Sequence, residues 1–130
     1  MRKIILTIAM FVQFVYAQNT TVSKDDQYAR ALELRVAKII APLNIEKKRK
    51  LEKVHHIITS QYQALNTIHS NRDGKIKEVK LAHTASADDL TLLVAAVESA
   101  AGNQVAKIHS TFLHDLGRHL SVAQVDEVKD

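Results

Sequence analysis

The chain has 130 residues, with 18 Lys and Arg against 14 Asp and Glu, seven His, three Gly and no Cys. The absence of Cys excludes a disulfide scaffold, a zinc–thiolate site and a Cys nucleophile. The three glycines, Gly74, Gly102 and Gly117, lie too far apart to build a P-loop or a dinucleotide-binding loop. The length allows one small domain.

The first 17 residues have the pattern of a secretory signal peptide. Arg2 and Lys3 precede an apolar run over residues 4–16, and Ala17 supplies the small residue before the expected cleavage site. The run is too short for a transmembrane helix, which needs about 20 apolar residues. We therefore expect a protein that is exported, either to the periplasm or out of the cell.

Cleavage changes the charge balance of the chain. Residues 18–130 keep 16 Lys and Arg and 14 Asp and Glu, so the net charge falls to +2, and three aromatic residues remain: Tyr28, Tyr62 and Phe112. Proteins that bind nucleic acids typically have a clustered basic patch and several aromatic residues that stack on bases. We expect no nucleic-acid partner and no membrane span after cleavage. The remaining candidate partners are a glycan and a protein.

The mature chain starts with a predicted helix from about residue 24 to residue 41. Ser23 is a suitable N-cap, and Asp25 and Asp26 suit the positive end of the helix dipole. Pro42 stops the helix. Its apolar positions recur at spacings of four, four and three, which places them on one face: Tyr28, Leu32, Val36 and Ile39.

A second helix is predicted to start after Asn44, as its N-cap, and to end or kink near Gly74. Its apolar face consists of Leu51, Val54, Ile58, Leu65 and Ile68, with Tyr62 at the edge. Five cations crowd its first turns, and such a run is usually a solvated face: Lys47, Lys48, Arg49, Lys50 and Lys53.

The third predicted helix begins near Asp88, with Ser86 or Asp88 as its cap, and stops at Gly117. We expect Gly102, inside the helix, to let another helix approach closely. The apolar stripe of this helix is the clearest in the chain: Leu90, Val94, Val97, Ala101, Val105, Ile108, Phe112 and Leu116.

A short fourth helix is predicted to open at Ser121, with Gln124 completing a capping box. It has about ten residues up to Asp130 and no C-cap signal, so we expect either that the natural chain continues, leaving residues 18–130 an incomplete domain, or that this helix docks on a partner. No strand-like alternation is visible. The sequence therefore predicts an all-α fold, a helical bundle of three long helices and a short fourth helix that is either truncated or docked on a partner.

One stretch of the second helix carries the candidate functional groups. At 100° per residue, Tyr62, Asn66, His69 and Asp73 fall within a stripe about 60° wide, hereafter the polar stripe. The stripe flanks the apolar face, so we expect it to be half-buried. Together with Arg72, these residues form the predicted binding set.

Three interpretations of the polar stripe remain open. His69 and Asp73 are candidate catalytic residues, with Asp73 orienting His69 in an acid–base pair. They could instead hold a metal with two further ligands, such as His109 and Glu98. The interpretation we favour is a hydrogen-bond network that fixes the register of the bundle, because buried polar groups need partners. We therefore predict no bound metal and no cofactor, and we favour a non-enzymatic role over catalysis.

Two stretches of the chain resemble domain-of-unknown-function family 3826, a family of secreted bacterial proteins often encoded beside polysaccharide-degradation genes. The resemblance covers about residues 28–130. It implies a signal peptide, a helical fold and a role in glycan utilisation, and members of the family typically extend beyond the equivalent of Asp130. No catalytic residues are established for the family, so none is carried over. The resemblance lies in Gln61-Tyr62-x-Ala64-Leu65-Asn66-x-Ile68-His69-x-x-Arg72-Asp73 and in Leu120-Ser121-x-x-Gln124-Val125-x-x-Val128-Lys129-Asp130.

A shorter resemblance concerns residues 120–124, which are similar to the L-T-x-x-Q motif of periplasmic chaperones of the Spy and CpxP type. The function we predict is that of an exported helical binding or accessory protein in a polysaccharide-utilisation setting. The alternatives are a hydrolase or lyase-type enzyme that uses His69 and Asp73, and a periplasmic chaperone.

Overall fold

The computed structural model describes residues 22–82 and 86–129, and over these ranges the chain is helical, without a strand. The prediction of an all-α bundle with three long helices and a short fourth is confirmed. The predicted signal peptide lies outside the described residues. The helices are α1 (Lys24–Ile40), α2 (Lys48–Leu81), α3 (Ala87–Gly117) and α4 (Val122–Lys129), with a 3-10 turn at Ala41–Leu43 after α1.

Side-chain caps begin α1 and α3 as the sequence predicts. The Ser23 hydroxyl accepts a hydrogen bond from the Asp26 backbone N–H at 3.1 Å. The Ser86 hydroxyl accepts one from the Asp89 backbone N–H at 3.3 Å. Each cap provides a partner for one of the free N–H groups in a first helical turn.

The capping box at α4 is also present, and it ties α4 to the rest of the fold. Ser121 Oγ accepts from the Gln124 backbone N–H at 3.2 Å, and Gln124 Oε1 accepts from the Ser121 backbone N–H at 3.1 Å. The other end of the same amide, Gln124 Nε2, donates to the Leu43 carbonyl at 2.9 Å. This contact docks α4 on the 3-10 turn, which gives the short helix a partner within the chain.

The buried core lies at one end of the molecule, hereafter the base. It combines α1, the 3-10 turn, the first part of α2 and the segment that leads from α3 towards α4, and α4 packs against it. Every apolar position predicted for α3 is buried or half-buried, as expected. The buried core residues are Leu32, Val36, Ile40, Leu43, Val54, Ile58, Leu116 and Leu120.

Beyond the base, α2 and α3 continue side by side as an antiparallel pair, hereafter the arm (residues 63–81 and 87–104). α2 has 34 residues and α1 has 17, which correspond to lengths of about 51 Å and about 26 Å. α1 is therefore too short to cover the whole of α2. Within the arm, Ala101 is the one buried residue.

Asn44 is not the N-cap of α2, contrary to the prediction. Leu43 inserts into the core, and the chain reverses immediately after it, which places Asn44 in the left-handed region at φ 51°. Asn tolerates this conformation better than most residues. Its side-chain amide donates to the Pro42 carbonyl at 3.1 Å, and Lys47 occupies the cap position of α2 without a side-chain cap.

The predictions for two glycines are also wrong. α2 continues through Gly74 to Leu81, because Ile76 and Val79 beyond the glycine are still half-buried in the arm and stabilise the helix there. A Cβ atom built at Gly102 would have no neighbour within 4 Å, so no helix of the described chain approaches α3 closely at this point.

Candidate functional site

The polar stripe lies on the face of α2 that α1 covers at the base, but most of it extends past α1. Tyr62 is half-buried, whereas Asn66, His69 and Asp73 are exposed. The expected half-burial is therefore wrong for these three residues. Among the described elements, no third helix covers this face of the arm, so these three side chains are exposed.

Tyr62 anchors the stripe at the edge of the base. Its ring packs against the core, and the guanidinium carbon of Arg35 in α1 lies 5.5 Å from the ring centroid. This distance is typical of a cation–π contact. One face of the ring is thus occupied by Arg35, so Tyr62 positions the helix and does not provide an open stacking platform.

Asp73 is paired with its neighbour Arg72. Asp73 Oδ1 accepts from Arg72 Nη2 at 2.7 Å and from Arg72 Nε at 2.9 Å. No hydrogen bond joins His69 to Asp73 in the described part of the chain, and neither Asn66 nor His69 has a side-chain hydrogen bond there. The predicted acid–base pair and the predicted register-fixing network are therefore not assembled by the described residues.

The alternative metal site is not assembled either. Over residues 22–82 and 86–129, no three His, Asp or Glu side chains are grouped so that they could hold a metal ion. His109, a candidate ligand on α3, instead lies beside Phe112, with 6.3 Å between the ring centroids.

The opposite side of the α2–α3 pair carries a feature that the sequence analysis missed. Two shallow concavities of about 310 and about 330 Å³ lie between the helices. Their lining residues continue along each helix at spacings of three and four, so they form one groove, hereafter the α2–α3 groove. It is lined on α2 by Ile57, Gln61, Ala64, Ile68, Asn71 and Lys75, and on α3 by Leu93, Ala96, Ala100, Gln104, Ile108 and Thr111, among others.

A sequence signal for this groove exists in the first half of α3. Residues 90–101 contain one charged residue, Glu98, and their apolar side chains surround more than one face of the helix. Leu92 is 69% exposed and Leu93 is 50% exposed. A helix that packs against one neighbour needs a single apolar stripe, so the additional leucines indicate a second apolar surface.

The two helices of the pair carry opposite charge. α2 contains eight Lys or Arg and three Asp or Glu, whereas α3 contains one Lys and four Asp or Glu. The cationic cluster at residues 47–53 adds to the basic character of α2 at its base end, and most of its side chains are exposed, as the sequence predicts for a solvated face.

These features define an all-α protein in which a packed base supports a two-helix arm. The profile of a family described as "Protein of unknown function (DUF3826)" matches residues 29–130. The chain belongs to this family. No curated protein matches the sequence, and the similarity of residues 120–124 to chaperones of the Spy and CpxP type gains no support. None of the described helices has both the length and the apolar character needed to cross a bilayer.

Proposed function

We propose that this chain is an exported helical binding protein, an accessory in polysaccharide utilisation, and that the exposed part of the polar stripe is its recognition surface. One observation carries the proposal: Asn66, His69 and Asp73 lie in line on a face of α2 that no described helix covers. The long helix holds these side chains in a fixed spacing. Export is supported by the pattern of residues 1–17, and the setting by the family resemblance.

The chemistry of the three side chains suits a hydroxyl-rich ligand. An amide both donates and accepts hydrogen bonds, a neutral imidazole does the same through its two nitrogens, and a carboxylate accepts them. From Asn66 to Asp73 the stripe spans about 10 Å along the helix axis, which suits consecutive units of a linear polymer. Because Arg35 covers a face of the Tyr62 ring, recognition would rest on hydrogen bonds more than on ring stacking.

The acid–base alternative has weaker support from the geometry. It requires Asp73 to orient His69, whereas Asp73 Oδ1 already accepts two hydrogen bonds from Arg72. His69 is also exposed, and acid–base catalysis gains most in a site that excludes water. A chaperone would instead use the apolar α2–α3 groove, so the two alternatives place function on different faces of the arm.

The test measures the binding of soluble polysaccharides to the exported chain by affinity electrophoresis and calorimetry. We expect at least one polysaccharide to bind. The Asn66→Ala/His69→Ala double variant should weaken that binding at least about tenfold, which corresponds to the loss of about 1.4 kcal/mol. Gln63→Ala is the matched control, because Gln63 is an exposed amide on the same helix but outside the stripe.

Each outcome decides between the alternatives. Binding that survives the double variant would overturn the stripe as the recognition surface. Turnover of a polysaccharide that is lost in His69→Ala, with the helical melt unchanged, would establish the enzyme. Suppression of client aggregation, without any binding of polysaccharide, would establish the chaperone.

A further inference from the structure

A second surface with the character of a binding site lies at the base, where the first turns of α2 meet the end of α3. A hollow of about 240 Å³ opens there, hereafter the basic hollow. Two of its side chains come from α2 and two follow the end of α3, so only the fold brings them together. These four residues, which carry a positive charge or N–H donors, are Lys53, His56, Arg118 and His119.

The two cations of the basic hollow are available to a ligand. Lys53 and Arg118 are exposed, and within residues 22–82 and 86–129 neither side chain has an ion pair or a hydrogen bond. Asp115 also lines the hollow, but its contact is with His114, whose Nδ1 lies 3.3 Å from Asp115 Oδ1. Two full positive charges thus stand against one carboxylate, and the two imidazoles of the hollow add N–H donors.

The same side of α2 carries a further cation towards the start of the helix. At about 100° per residue, Arg49, Lys53 and His56 lie within about 60° of one another around the helix axis. Glu52, in the same turns, contacts Lys48 instead, with 3.9 Å between Lys48 Nζ and Glu52 Oε1. The positive charge therefore extends from the basic hollow along one side of α2.

Helix stability explains only part of this arrangement. Cations are favourable near the C-terminus of a helix and unfavourable near its N-terminus, which carries a partial positive charge. The rule accounts for Arg118 at the end of α3 but not for Arg49 in the first turn of α2. The cap residue of α2, Lys47, also supplies no side-chain acceptor for the free N–H groups there. Proteins accept such local conflicts most often where function requires them.

We propose that the basic hollow binds an acid group, a carboxylate or a sulfate, of an acidic polysaccharide. The Arg118 guanidinium can donate two parallel hydrogen bonds to two oxygens of such a group, and Lys53 adds a compact positive charge. The site for an acid group follows from the hollow itself, whereas the polysaccharide as its carrier rests on the proposed function. No Phe, Tyr or Trp lines the hollow, so it offers no ring on which a nucleic-acid base could stack.

The basic hollow and the polar stripe are separate surfaces. Lys53 in the hollow and Asn66 in the stripe differ by about 140° around the axis of α2 and by about 20 Å along it. Variants of one surface therefore leave the other intact. The stripe would recognise hydroxyl groups and the hollow would recognise the charge of the polymer.

The test measures the binding of three soluble polysaccharides to the exported chain by calorimetry at low salt. The polysaccharides are polygalacturonate, with a carboxylate on each sugar unit, dextran sulfate and neutral dextran. We expect at least one of the two acidic polymers to bind. Lys53→Gln/Arg118→Gln should weaken this binding at least about tenfold, because charge-assisted hydrogen bonds are lost. Lys77→Gln/Lys80→Gln is the matched control, since it removes the same charge from exposed positions of α2 outside the hollow.

A second variant tests the sign of the charge without removing a cation. Asp115→Asn replaces the carboxylate that lines the basic hollow, and should strengthen the binding of the acidic polymer at least about threefold, because a like charge is removed. Glu98→Gln makes the same change in net charge at an exposed position of α3 in the arm, and should leave the affinity unchanged. Added salt should weaken the binding, since it screens the attraction between exposed charges.

The failure of this proposal is distinct from the failure of the proposed function. Absence of binding to both acidic polymers would overturn the basic hollow, even if a neutral polysaccharide binds at the stripe. Equal losses in the two double variants would also overturn it, since they would indicate attraction to the chain as a whole. Binding to phosphatidylglycerol vesicles but to neither acidic polymer would overturn the polysaccharide as the carrier. Far-UV circular dichroism confirms that each variant is folded, and Asp115→Asn provides a readout that loss of folding cannot produce.

Discussion

The division of the molecule into base and arm predicts very different effects for the same substitution at two sites on α3. Leu116 is fully buried in the core of the base, whereas Leu93 in the arm is 50% exposed. Replacing a fully buried Leu by Ala removes about 3–4 kcal/mol, which combines the lost burial with the cavity left behind. Complete burial of Leu contributes about 1.5–3 kcal/mol, so a half-exposed Leu that leaves no closed cavity contributes about 1 kcal/mol.

The measurement is urea unfolding, followed by far-UV circular dichroism, of Leu116→Ala, Leu93→Ala and the unaltered chain. We expect Leu116→Ala to lower the free energy of unfolding by at least about 2 kcal/mol more than Leu93→Ala. Equal effects of the two substitutions would refute the division, since they would show that the arm is as tightly packed as the base.

Three further substitutions test particular contacts by thermal and urea unfolding. Gln124→Ala removes the hydrogen bond from the Ser121 backbone N–H to the Gln124 side chain, which is one half of the capping box, and the hydrogen bond to the Leu43 carbonyl. It should lower the free energy of unfolding by about 1–2 kcal/mol, and no loss would mean that α4 is not held by this amide. Gly74→Ala should raise the free energy of unfolding by about 0.5–1 kcal/mol, because the helix continues through this position and a Cβ would meet nothing within 4 Å. A decrease would indicate a kink there in solution. His69→Ala should change the free energy of unfolding by no more than about 0.5 kcal/mol, since the side chain is exposed, and a larger loss would restore the hydrogen-bond network as an explanation of the stripe.

Features that depend on local sequence were predictable. The apolar stripe of α3 repeats at spacings of three and four over eight positions, and each of these positions is buried or half-buried. The caps at Ser23, Ser86 and Ser121 depend on a hydroxyl and an N–H three residues later, so they form wherever the helix begins. Neither feature requires knowledge of the rest of the fold.

Features that depend on neighbouring helices were predicted less well. The preference of Asn44 for an N-cap is a local effect of about 1 kcal/mol, and the insertion of Leu43 into the core outweighs it. The weak helix propensity of Gly74 costs a similar amount and is outweighed by the packing of the next turns against α3. Periodicity gives the angular position of the polar stripe around the axis of α2. The exposure of the stripe depends on how far α1 extends along α2. The predicted lengths of α1 and α2 already indicated that α1 does not reach the far end of the stripe.

The arm is stable enough to form only because it grows from the base. A two-helix hairpin with one buried residue has little apolar burial to offset its loss of conformational entropy. The base removes the unfavourable nucleation step, since α2 and α3 enter the arm as helices that are already formed, and each further residue adds one hydrogen bond. Even so, a segment with few buried contacts opens locally at low cost. A polar stripe on such an arm would recognise a ligand poorly unless the arm were stabilised. A ligand that binds along the stripe would itself stabilise the arm, since it binds the folded helix and not the open one.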